Sequence, residues 1–127
     1  MNPKYVQHNP EMDRITEAFS EYIHRHPALE LLWSEKLGYV LLSIDPMMQN
    51  FLYGTSVYTS PKKLAYRLFD EMATDVMLEF KDCSVIAALN DEGKEEVRQR
   101  WAPFLEMLPE YRYVCDDILA GNVAYED

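Results

Sequence analysis

The chain has 127 residues, 48% hydrophobic and 27% charged, and carries a formal net charge of −10 from 22 acids and 12 bases. That length supports one domain with a real core and is short for two, and the hydrophobic share excludes wholesale disorder. The acid excess disfavours phosphate backbones and anionic membranes, whose capture needs clustered Lys and Arg.

The opening MNPKYVQHNPEMD lacks the basic, apolar and small-residue succession of a secretory signal. Residues 1–9 are expected to be an irregular arm. Asn9 and Pro10 then suit the cap and first turn of a helix with Met12, Ile15, Phe19, Tyr22 and Ile23 on its apolar stripe. Pro27 ends it. The spacing of Leu29, Leu32, Trp33 and Leu37 predicts a second short helix, stopped at Gly38.

Residues 39–60 read two ways. YVLLSI at 39–44 and TSVYTS at 55–60 can pair as strands, with Asp45, Pro46 and MMQNFLY supplying a helical turn or two between them. From Pro46 to Pro61 there is no charged residue, but Gln49, Asn50, Thr55, Ser56, Thr59 and Ser60 interrupt the stretch, so it is no membrane span.

The strongest signal is Ser60 to Phe80. Ser60 and Pro61 suit a helix start, and Leu64, Ala65, Leu68, Phe69, Met72, Ala73, Val76, Met77 and Phe80 spread over more than half of the helical circumference. A helix with so broad an apolar surface is packed on two or three sides. Arg67 and Thr74 are expected to be exposed. Asp82 is a candidate cap for a short helix through CSVIAALN, although Val85 and Ile86 also suit a strand. Asp91, followed by Glu92, Glu95 and Glu96, marks a further helix start, where carboxylates meet the positive end of the dipole. Val97, Trp101, Phe104, Leu105 and Leu108 form its inner side, and Pro103 must kink or divide it. A last helix over 110–120 turns Tyr111, Val114, Cys115, Ile118 and Leu119 inward and stops at Gly121, leaving 122–127 frayed.

The fold expected is mainly α: a single domain over 1–127, a compact bundle of about five or six helices with room for one small β-ribbon.

Catalytic signals are sparse. Glu21 and His24 form a single ExxH, but bundle-type metal sites need a second such pair, and these two residues point away from the apolar stripe. His26 reads as a satisfied helix-end histidine, and His8 lies in the arm. Cys83 and Cys115, 32 residues apart, read as reduced, buried thiols in a cytoplasmic protein. The four glycines form no phosphate loop, and no serine has nucleophile-elbow flanks. The basic clusters Lys62, Lys63, Arg67 and Lys94, Arg98, Arg100 are interleaved with acids, which argues against direct nucleic-acid binding. No metal or other cofactor is implied.

The sequence therefore points to a non-catalytic protein-binding or regulatory domain. Residues 61–127 hold 15 acids against 8 bases, whereas residues 1–60 hold 7 against 4. The expected docking face is Asp91, Glu92, Glu95, Glu96, Asp116 and Asp117, facing another protein, basic if charge selects it; self-association stays open. Met47, Met48, Tyr53 and Tyr58 form the alternative interface, since Met and Tyr are favoured in protein contacts. The alternative function is a small enzyme or ligand carrier with a cavity lined by Asp75 and Glu79, which the helical wheel places on or beside the apolar face. Their bland reading is a rim carboxylate, or an internal salt bridge to Arg98, Arg100 or Arg112.

Overall fold

A computed structural model describes residues 6–79 and 85–122 of the chain. Phe80, Asp82 and Cys83, read above from sequence, lie outside them. Contacts divide the chain into two compact units, Met1–Pro61 and Lys62–Asp127.

The first unit opens with helix α1, Pro10–Arg25. The Asn9 side chain caps it by accepting the backbone N–H groups of Glu11 and Met12, two of the donors a helix start leaves orphaned. Met12, Ile15, Phe19 and Ile23 are buried. The helix ends before Pro27, and His26 accepts the Ala28 N–H at 3.1 Å, so that histidine is satisfied as expected.

Strands β1 (Leu29–Ser34), β2 (Gly38–Asp45) and β3 (Phe51–Tyr58) follow as an antiparallel sheet in the order β1-β2-β3. The expected helix over 27–37 is therefore a strand and a turn, and the expected ribbon is a three-stranded sheet. The reason is pairing. Leu29, Leu31 and Trp33 alternate with period two, and they stand opposite Ser43, Leu41 and Tyr39. A partner strand in register outweighs the helical preference of a short Leu- and Glu-rich segment. At the β1–β2 turn Gly38 adopts φ +87°, and a Cβ there would come within 3.1 Å of Val6 Cγ1. The arm runs alongside, with Val6 N–H donating to Glu35 O at 2.8 Å.

The second unit carries α2 (Pro61–Glu79), α3 (Asp91–Met107) and α4 (Arg112–Ala120). The described residues thus hold four α-helices and a small open sheet in place of a bundle of five or six helices. The segment at 86–88 is only a 3-10 turn. Eight side chains of α2 are buried, Leu64, Leu68, Met72 and Val76 among them, and they cover the broad arc expected of it. Arg67 and Thr74 are half-buried, less exposed than their positions on the wheel suggested. Trp101 Nε1–H donates to the Phe69 carbonyl at 3.0 Å, and the two rings meet edge to face at 5.9 Å. Tyr66 donates its hydroxyl proton to Asp117 at 2.5 Å. These contacts tie α2 to α3 and α4. Pro103 lies within α3 without dividing it. Gly121, at φ +80°, closes α4 in the left-handed conformation.

Candidate functional site: the outer ribbon of the sheet

The connection from β2 to β3 is built to project side chains. Asp45 accepts the Met47 N–H at 2.9 Å and starts a 3-10 turn at Pro46–Met48. Gln49 and Asn50 then both take positive φ, 56° and 59°, a conformation that Asn tolerates better than most residues. The chain reverses there, leaving Met47 89% and Met48 64% exposed. The expected extra helical turns are absent from Phe51, Leu52 and Tyr53, which already belong to β3.

Pairing orients the strand. Tyr58, Ser56 and Gly54 stand opposite Tyr39, Leu41 and Ser43, whose side chains are buried on the face that reaches α1 through Tyr39. Val57 and Thr55 stand opposite Val40 and Leu42 and so share the other face. A shift of register follows Ser43, so that Leu52 faces Ile44 and Tyr53 has no residue opposite it. This is a bulge, and it turns the strand locally. Phe51 is 62% and Tyr53 63% exposed, with Leu52 and Val57 also open to solvent. Tyr58 is half-buried. Among the described residues β3 pairs only with β2 and forms an edge of the sheet.

The acidic positions are more occupied. Asp91, Glu92, Glu95 and Asp116 are exposed. Glu95, however, lies 3.6 Å from Arg98, Glu96 accepts from Arg100 at 3.0 Å, and Asp117 accepts from Tyr66. Asp91 and Glu92 sit in the first turn of α3, which Asn90 caps through Gly93 N–H. Glu79 is exposed and held by both of its oxygens to Arg100, at 2.8 and 3.0 Å. That is the salt bridge of the bland reading. Asp75 is half-buried, and neither groove described below is lined by Asp75 or Glu79.

One polar cluster was not foreseen. His8 Nδ1 lies 2.9 Å from Asp13 Oδ1; a carboxylate only accepts, so that nitrogen carries the proton. The His8 ring stacks on Trp33 at 3.7 Å between centroids. Tyr39 Oη accepts the Asn9 N–H and directs its own proton at Asp13, 2.5 Å away, and at the Asn9 carbonyl. The hydrogen bond from Tyr39, then that from His8, holds the Asp13 carboxyl below its ordinary value. Burial, then Asp13 itself, raises Tyr39. The cluster borders a groove of about 620 Å³ along α1 and β1, lined also by Thr16, Glu17 and Leu31. An imidazole oriented by a carboxylate can serve as a base, but the contacts of His8 among the described residues are Asp13, Trp33 and Tyr39, with no nucleophile. What the cluster does on this geometry is fasten the arm to the start of α1 and to the sheet.

A second groove, about 490 Å³, runs beside α3 and α4 past Trp101, Arg112 and Cys115. Cys115 is a free, buried thiol, and burial, aided by the charge of Asp116, pushes its pKa up to about 12. It is a poor nucleophile there. Glu21 pairs with Arg25, and both are exposed. Among the described residues no group of His, Cys, Asp or Glu could hold a metal ion, and no helix is long and apolar enough to cross a membrane.

Sequence reasoning placed Val57 in a strand but read Phe51 and Leu52 as part of a helical turn, and it missed His8 as part of a cluster. The missing signal for Phe51 and Leu52 was strand pairing across a turn; for His8 it was proximity to Tyr39, 31 residues away. Comparison of the chain with family models, with curated proteins and with solved structures finds no match.

Proposed function

We propose that the chain is a non-catalytic protein-binding domain that docks through the ribbon carrying Met47, Met48, Phe51, Tyr53 and Val57. The observation behind this is a set of large apolar side chains, all exposed, within one stretch of chain that carries no charge. Soluble chains seldom leave such a set uncovered, and Met and aromatic residues are enriched where proteins meet. The acidic face is the weaker choice because Glu95, Glu96 and Asp117 already have intramolecular partners. A ligand-binding reading attaches to the groove beside His8, Trp33 and Tyr39, and a ligand there would displace or cover the His8 ring.

The test is site-specific photo-cross-linking. A photoreactive phenylalanine analogue replaces Tyr53, Glu92 or Gln99 in turn, and each variant is irradiated in native lysate. Position 53 should yield discrete cross-linked protein, with far less from 92 and 99. Equal yields at all three positions, or none at 53, would remove the ribbon as the docking surface. Cross-linking confined to 92 would restore the acidic helix start.

A further inference from the structure

We infer that the occupant of the ribbon is a second copy of this chain, with β3 pairing antiparallel to β3 of the other copy so that two three-stranded sheets join into one. The inference rests on the protein-binding reading above and names its partner. Three observations carry it.

The first is the edge. Among the described residues β3 pairs on one side only, and its sequence FLYGTSVY holds no Lys, Glu, Asp or Pro. Those are the residues that usually guard an open strand against pairing. The bulge at Tyr53 bends one end, which leaves Gly54–Val57 as the regular segment that can receive another strand.

The second is charge. Two copies of a chain at −10 repel each other. A twofold axis also sets the strand against its own copy in reverse, so a strand carrying one sign of charge would meet that same sign. The stretch from Pro46 to Pro61 is free of charge, and copies can approach through it without that penalty. A basic partner, by contrast, gains no electrostatic advantage from a neutral strand.

The third is closure. The opposite edge of the sheet, β1, carries exposed Glu30, and the turn beyond it holds Glu35 and Lys36. A β1–β1 contact would bring Glu30 towards its own copy. Pairing through β3 therefore ends at two copies and does not propagate along the sheet.

Salt separates this inference from docking on the acidic face. Screening weakens the repulsion between two acidic copies and leaves a neutral strand contact intact, so self-association should tighten as salt rises. Association with a basic partner should weaken.

Sedimentation velocity on the full chain over a dilution series, at low and high salt, reads the result. The expected outcome is conversion from 14.9 kDa to twice that mass with concentration, at lower concentration in high salt. Two double variants, Thr55→Lys with Val57→Lys and Thr55→Glu with Val57→Glu, change exposed positions on one face of β3. Each alone should associate roughly tenfold more weakly, because like charges then oppose across the axis. Mixing the two should restore dimerisation, which a general folding defect would not do. A wild-type chain that stays monomeric throughout would overturn the inference, as would polydisperse growth without a dimer, or no restoration on mixing between folded variants. If the wild type is monomeric while position 53 still cross-links a different protein, the second-copy inference alone falls. If position 53 captures nothing, both readings fall.

Discussion

Two substitutions on apolar residues, Met47→Ser and Leu68→Ala, should differ by an order of magnitude in their effect on folding. Leu68 has no solvent exposure, and Leu-to-Ala changes at such sites cost about 2–5 kcal/mol, because the cavity relaxes only in part. Met47 is 89% exposed, which leaves about a tenth of its surface covered. Full burial of a Met side chain is worth about 1.5–3 kcal/mol, so the covered tenth contributes roughly 0.2–0.3 kcal/mol. Urea unfolding followed by circular dichroism, at a protein concentration that keeps the chain monomeric, measures both. An unchanged slope against urea confirms that stability and not compactness has moved. If Met47→Ser costs more than about 1 kcal/mol, Met47 is packed in solution and is not free to dock, and the reasoning about the ribbon fails. A cost below about 1 kcal/mol for Leu68→Ala would remove α2 from the core.

Two further outcomes follow from the titrating groups. Asp13 has a lowered pKa in the folded chain, so its contribution to stability is present above its ordinary value of 3.8 and is lost as pH falls through the folded value. Asp13→Asn should therefore flatten the dependence of the urea midpoint on pH in that acid range, and an unaltered profile would contradict the cluster geometry. Cys115, buried and pushed up to about 12, should react with a thiol reagent at neutral pH only as fast as the chain opens, so its rate should rise with urea. Prompt labelling without urea would contradict its burial.

How much was legible in the sequence varied with the range of the interactions. Helix α1 and its Asn9 cap, the broad apolar arc of α2 and the Gly121 stop rest on residues within a few positions of one another. Their spacing was sufficient to read them. β1 was misread because Leu29, Leu32, Trp33 and Leu37 fit a helical face, while Leu29, Leu31 and Trp33 fit a strand, and only pairing with β2 decides between them. The same dependence on a distant partner hid Phe51 and Leu52 as strand residues, although Val57 fell within the strand read at 55–60 and Met47, Met48, Tyr53 and Tyr58 had marked the extent of the ribbon. Glu79 drew notice as a carboxylate near an apolar face, and Arg100 proved to be its partner, one of three arginines the sequence offered. His8 and Tyr39 gave no local sign of meeting, because a loop and a hairpin bring them together.

The central claim is that the uncharged edge strand is where this protein meets another. Amide hydrogen exchange read by mass spectrometry tests it most directly, comparing the free chain at high dilution with the associated chain, whether paired with its own copy or with a partner captured at position 53. The account predicts slower exchange on association in peptides spanning Phe51–Tyr58, with the start of α3 at 91–96 unchanged. Protection that appears at 91–96 while Phe51–Tyr58 exchanges as in the free chain would contradict it.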